Sequence, residues 1–188
     1  MRKTIGLIAG GFKPLTRGHW SIIELASQEC DVVKLVVSTK DRARPGELPI
    51  LWAQMKLVWD EFILSALPSN VEVILSPAPI KDIMDILNAA NKDENNYDSY
   101  FIYSDPEDTA ANFPQRAKNA YMSRLIKNDQ VVFRSTDRAK RPGGAMSGTM
   151  VRKFLAHGDL KQFIAALPGP IRLYGPEIYR ILGGKSPS

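Results

Sequence analysis

Short runs rich in β-branched and aromatic residues alternate along this chain with longer segments whose apolar residues recur at helical spacing. No other feature constrains the fold as much. Residues 4–9, 31–38, 71–75, 99–103 and 130–134 read as strands bounded by turn residues. Residues 18–28, 50–66, 80–91 and 114–126 read as helices, the second most plainly because Leu51, Met55, Val58, Trp59 and Phe62 share one face. Strand, helix, strand in this repetition is the pattern of an α/β protein: a parallel sheet with helices on both faces. Short helices at 149–156, 160–167 and 176–182 then predict a small C-terminal helical cap. We expect one domain over residues 1–183 and a loose tail at 184–188.

The 188 residues suffice for one domain with a substantial core but hardly for two. With 44% hydrophobic and 24% charged residues, a disordered or low-complexity chain is excluded. The single cysteine, Cys30, excludes a disulfide scaffold and a Cys-rich zinc site. No apolar stretch approaches the ~20 residues of a membrane span. The apolar run after Lys3 reads as a buried first strand rather than a signal sequence, so a cytoplasmic location is expected. The net charge of +5 is uneven: residues 116–153 carry ten basic and two acidic residues, leaving the remainder mildly acidic. Such a local cationic surface points to an anionic ligand, either small-molecule phosphates or a nucleic-acid backbone.

In a parallel sheet of this kind ligands bind beyond the carboxyl ends of the strands. The loop after the first predicted strand reads Gly10-Gly11-Phe12-Lys13-Pro14-Leu15-Thr16-Arg17-Gly18-His19-Trp20. Its glycines permit close approach of backbone to ligand, and Gly18 opens the next helix, whose free amides form an anion site. His19 in that first turn would act as a hydrogen-bond donor to the anion. The same residues also read as an ordinary glycine-rich turn with a packing histidine. A second constellation is Ser147-Gly148-Thr149-Met150-Val151-Arg152, where Ser147 reads as an N-cap and Arg152 lies one turn on. Two hydroxyls and a guanidinium around helix-start amides suit phosphate, although a capped helix with one solvent arginine has the same spacing.

Together, Gly-x-Phe-x-Pro-x-Thr-x-Gly-His and the later Ser-Gly-Thr-x-x-Arg resemble the paired signature of the nucleotidylyltransferase superfamily. That superfamily includes nicotinamide mononucleotide adenylyltransferase, phosphopantetheine adenylyltransferase and glycerol-3-phosphate cytidylyltransferase. The likeness runs through nearly the whole chain and has the flavour of cytidylyltransferase-like proteins of phages and large viruses, which would place the protein in a host cytoplasm. The resemblance implies a Rossmann-like fold and an acceptor phosphate that attacks the α-phosphate of a nucleoside triphosphate, releasing pyrophosphate. It implies that His19 bonds the α-phosphate, that Thr16 stands where many relatives have a first histidine, and that Ser147, Thr149 and Arg152 hold the β- and γ-phosphates. Gly10, Gly11, Phe12, Gly18 and Gly148 would line the nucleotide. Magnesium would be the cofactor, bound mainly through the triphosphate with no dedicated protein metal site.

Two further loops match relatives by position. Lys40, then Arg44, are candidates for the acceptor's phosphate, and Asp105 for ribose or metal; a solvated loop and an Asp-Pro turn are the alternatives. Lys13 departs from branches that carry aspartate there, and 52–55 lacks the Glu-Arg pair of others. AMP transfer from ATP to an acceptor such as nicotinamide mononucleotide and CTP with a phosphorylated alcohol both fit. So does a non-catalytic nucleic-acid-binding or virion-associated module, given the basic run 138–144. Relatives commonly assemble, so a homo-oligomer is also expected. Trp20, Trp52 and Trp59 read as core rather than as a base-stacking platform.

Overall fold

The computed structural model describes residues 3–45, 47–92, 97–136 and 146–186. The chain divides into two compact units, one of Met1–Gly10, Ile22–Ser38 and Ser69–Lys140, the other of Gly11–Ser21, Thr39–Pro68 and Arg141–Ser188.

The first unit is a five-stranded sheet in the order β3-β2-β1-β4-β5. Its strands are β1 (Thr4–Gly10), β2 (Val32–Ser38), β3 (Val71–Ser76), β4 (Ser99–Ser104) and β5 (Val131–Ser135). All pairs are parallel, with Ile5 opposite Val32 on one side and Tyr100 on the other. Strand order reverses between β1 and β4, which makes the carboxyl end of β1 a topological switch point.

Side chains alternate across the pleat, so each strand feeds both faces. On one face Ile5, Leu7, Val36, Tyr100 and Ile102 bury against Ile83, Met84, Leu87 and Ala90 of α3 (Pro79–Asn91). On the other, Gly6 leaves room for Cys30 and Tyr103: a Cβ there would stand 3.2 Å from the Cys30 sulfur. The Tyr103 hydroxyl donates to Glu29, the last residue of α1 (Arg17–Glu29), at 2.7 Å. Helices therefore cover both faces, as the alternation predicts.

Local breaks differ from the expected helices. The segment 114–126 divides at Met122 into α5 (Gln115–Tyr121) and α6 (Ser123–Lys127) because the Asn91 side chain accepts the N–H groups of Arg124 and Leu125. That carbonyl satisfies amides a continuous helix would have bonded internally. Between β4 and α5 lies α4 (Pro106–Asn112), where a simple turn was one reading. Asp105 caps it by accepting from Asp108 N at 2.9 Å, with Pro106 in its first turn.

The second unit is helical. α2 (Trp52–Val58) continues as a π turn (Trp59–Ile63) and a 3-10 turn (Leu64–Ala66), so the predicted single helix over 50–66 is not uniform. It is joined by α7 (Gly148–His157), α8 (Leu160–Ala166), a 3-10 turn (Gly169–Tyr174) and α9 (Gly175–Ile181). Met55, Trp59, Ile63, Leu155, Phe163 and Ile178 form buried apolar surface in this unit. Lys185 is held there: its N–H bonds the Leu155 carbonyl at 3.0 Å, and the Tyr179 hydroxyl donates to its carbonyl at 2.8 Å. No helix among the described residues is long and apolar enough to cross a membrane.

Candidate active site

The residues leaving β1 fold into a local lock. Thr16 is the N-cap of α1: its hydroxyl accepts the His19 N–H at 3.3 Å, and its carbonyl accepts from Trp20 at 2.9 Å. In return His19 Nδ1 accepts the Thr16 N–H at 3.1 Å. This is the reciprocal logic of a capping box, with an imidazole in the place usually taken by Glu or Gln. A backbone N–H can only donate, so Nδ1 carries no proton and the neutral ring has its hydrogen on Nε2. Four consecutive residues thus fix both the ring and its tautomer. Phe12, buried at positive φ (48°), packs edge-on against His19 at 5.1 Å between centroids. Gly11, by contrast, has nothing within 4 Å of the Cβ it lacks.

The second helix start is held from a distance. Ser147 caps α7 by accepting from Met150 N at 3.2 Å. Arg152, only 5% exposed, spreads its guanidinium over three partners. Nη1 donates to the Lys13 carbonyl at 2.8 Å, Nη2 to Thr149 Oγ1 at 2.9 Å, and Nε to Glu47 Oε2 at 3.0 Å. A Cβ on Gly148 would stand 3.0 Å from that Nη1, so glycine gives the fork its room. Thr16 Oγ1 lies 3.4 Å from the Met146 carbonyl, a second tie between the two starts. The structure therefore brings Phe12, Thr16 and His19 together with Ser147, Gly148, Thr149 and Arg152.

Two residues, Glu47 and Arg42, escape the sequence reading, and a third, Lys13, enters it only as a departure from the family pattern. Glu47 Oε2 accepts from Arg42 Nε at 3.3 Å as well as from Arg152. Burial works against ionising Glu47, but the hydrogen bonds and charges of Arg152 and Arg42 prevail and hold its carboxyl below the usual range. Burial, then the positive charges of Arg42 and Arg44, ease Arg152 below the usual guanidinium range against the pull of Glu47. Lys13 is buried too, with Nζ 5.3 Å from the Trp52 ring centroid and donating to the Gly11 carbonyl at 3.1 Å. Burial lowers its pKa to about 8, with Asp41 pulling the other way. Nothing in the spacing of Arg42 and Glu47 marks them out from a solvated charged loop. Lys13 had a signal, since it interrupts the signature loop.

Lys40 and Arg44 are exposed, and the Arg44 carbonyl accepts the Glu47 N–H at 3.1 Å. Gly10 ends β1 and Asp105 caps α4, both in the sheet unit, while Gly18 sits in the first turn of α1. Trp20 and Trp59 are buried, as core residues should be, whereas Trp52, also read as core, is only half-buried, with its ring beside the Lys13 ammonium. The basic run 138–144 lies outside the described residues. Among the described residues no group of three or more His, Cys, Asp or Glu could hold a metal ion.

No family model and no curated protein sequence matches this chain. Solved structures do. Nicotinic acid mononucleotide adenylyltransferase of Plasmodium falciparum, complexed with APC, superposes with a TM-score of 0.62 at 13% identity over 97% of this chain and 98% of that one. The same enzyme complexed with NaAD gives 0.60 at 14% identity, over 97% and 98%. A bifunctional NMN adenylyltransferase/ADP ribose pyrophosphatase from Francisella tularensis, complexed with AMP and a manganese ion, gives 0.59 at 16% identity, over 97% of this chain and 52% of that one. At these identities the likeness shows the fold. It is the Rossmann-like α/β fold of those adenylyltransferases.

Proposed function

We propose that this protein is a nucleotidylyltransferase that moves AMP from ATP to a small phosphorylated acceptor of the pyridine mononucleotide type. The observation that carries this reading is the tie between the two helix starts: Arg152 bonds the Lys13 carbonyl, and Thr16 lies against the Met146 carbonyl. A local histidine donor and a buried guanidinium fork thereby belong to one compact site. The ligands and substrates named for the similar structures support AMP over CMP and a mononucleotide acceptor.

In the proposed reaction a nonbridging oxygen of the acceptor phosphate forms a bond to the α-phosphorus. The bond from that phosphorus to the oxygen bridging to the β-phosphate breaks, and its electron pair leaves with pyrophosphate. His19 Nε2–H stabilises charge on the α-phosphate, while Arg152, with Ser147, Gly148 and Thr149, holds the leaving phosphates. Phe12 packs the His19 ring, and Gly10, Gly11 and Gly18 give the nucleotide close access to backbone; Lys40 and Arg44 are the cations for the acceptor. Catalysis is then positioning plus electrostatic stabilisation. Magnesium would be held by the triphosphate oxygens rather than by the cationic side chains of this site, and would supply neutralisation of phosphate charge. The test is pyrophosphate release with magnesium and ATP or CTP against nicotinic acid and nicotinamide mononucleotides, phosphopantetheine and glycerol 3-phosphate. Turnover that requires ATP and a pyridine mononucleotide is expected; turnover with CTP and glycerol 3-phosphate alone would overturn the base and acceptor assignment.

A further inference from the structure

The guanidinium of Arg152 is the group this reading assigns to the leaving phosphates, yet an internal carboxylate already occupies it. Glu47 lies 105 residues away in sequence and places one oxygen between Arg152 Nε, at 3.0 Å, and Arg42 Nε, at 3.3 Å. Its position is set by a short loop closed where Arg42 and Ile50 exchange backbone hydrogen bonds of 2.9 Å each way. Arg42, Arg44 and Arg152 are close enough that the first two depress the ionisation of the third. One carboxylate neutralises only part of that cluster. Carboxylate and phosphate oxygens accept from a guanidinium in the same charge-assisted geometry. A cation cluster that binds one carboxylate oxygen binds a polyphosphate more strongly, because several oxygens replace one.

We propose that Glu47 is an internal stand-in for a phosphate, displaced when the polyphosphate binds, and that Arg42 then joins Arg152 as a ligand of the leaving pyrophosphate. This rests on the nucleotidylyl-transfer reading and adds a residue and a competing anion to it. Glu47 sets the affinity for polyphosphate: it keeps Arg152 and Arg42 in place between turnovers and weakens product retention by competing for them.

The experiment is calorimetric titration of inorganic pyrophosphate into the full-length wild type, Glu47→Gln, Arg42→Gln and the double variant, with magnesium–ATP titrated into the wild type in parallel. Glu47→Gln keeps the side-chain volume and removes the competing charge, so pyrophosphate should bind about tenfold tighter. Arg42→Gln should weaken binding by a similar factor, and the loss should persist in the Glu47→Gln background. If Glu47 is instead a strut for Arg152, Glu47→Gln binds pyrophosphate no better or worse, and the proposal falls. If the Arg42 loss vanishes once residue 47 is neutral, Arg42 only tethers Glu47 and its role as ligand falls. Should a variant not fold, nitrogen-15 spectra of the wild-type arginine side chains decide: pyrophosphate should shift both Arg42 and Arg152 Nε–H signals, and a shift of Arg152 alone contradicts the proposal. Wild type that binds pyrophosphate and ATP while Glu47→Gln gains nothing removes this inference alone. Wild type that binds neither removes the nucleotidylyl-transfer reading with it.

Discussion

The helix starts at Thr16 and Ser147 are both capped by a hydroxyl, but they are built on opposite principles. At Thr16 the cap, its reciprocal acceptor and the proposed phosphate donor all lie within four residues, because Thr16 and His19 each accept the other's backbone N–H. At Ser147 the cap is local, but the closure around the proposed phosphate ligand is not. Arg152 depends on a carbonyl 139 residues away and a carboxylate 105 residues away. Local closure makes a side chain rigid without help, whereas long-range closure makes it conditional on the rest of the unit. The first suits a fixed donor; the second suits a group that exchanges partners.

The largest effect should come from breaking the conditional start. Arg152→Met leaves Glu47 partly buried with only Arg42 and strips the Lys13 carbonyl of its donor, for a loss of about 3 kcal/mol in urea unfolding. Losing less than half of that would mean the fork is not the clasp between the two starts.

Next is the local start, where structure and chemistry can be separated. His19→Ala should lower turnover ~10²–10³-fold and also remove the reciprocal cap. His19→Glu restores a carboxylate acceptor at the same helical position, so thermal stability should return toward wild type while turnover does not. Recovery of both in His19→Glu would reduce the histidine to a structural cap.

A smaller effect concerns Lys13, whose carbonyl joins the two starts. Its ammonium gives up a proton near pH 8 when folded, against an ordinary value of 10.5. Between those values the unfolded chain holds more protons, so stability rises with pH across the window. The contribution is complete above 10.5 and lost as pH falls through about 8. Lys13→Met should flatten the rise, by roughly 1–3 kcal/mol in parallel denaturant titrations, and an unchanged slope would contradict it. Smallest is Ser147→Ala, which should cost about 1 kcal/mol as an ordinary cap does.

This contrast also explains what the sequence made legible. Strand and helix alternation was readable because burial of β1 and α3 faces follows local periodicity, and the parallel sheet matches it. The Thr16–His19 pair was readable as a motif because its geometry closes within one turn. Glu47 and Arg42 were not, since their importance arises only when a loop closed at Ile50 meets α7. The break at Met122 escaped for the same reason: Asn91 supplies the competing acceptor from another helix. Burial of Lys13 likewise depends on Trp52, which no spacing rule connects to it.

On the nucleotidylyl-transfer reading the two helix starts hold different phosphates of one triphosphate. Phosphorus-31 spectra of a bound non-hydrolysable ATP analogue with magnesium test it directly, recorded for wild type, His19→Glu and Arg152→Lys. We predict that His19→Glu perturbs chiefly the α-phosphate signal and Arg152→Lys chiefly the β and γ signals. If both substitutions perturb the same signal, or neither perturbs any, the two starts do not divide one triphosphate between them.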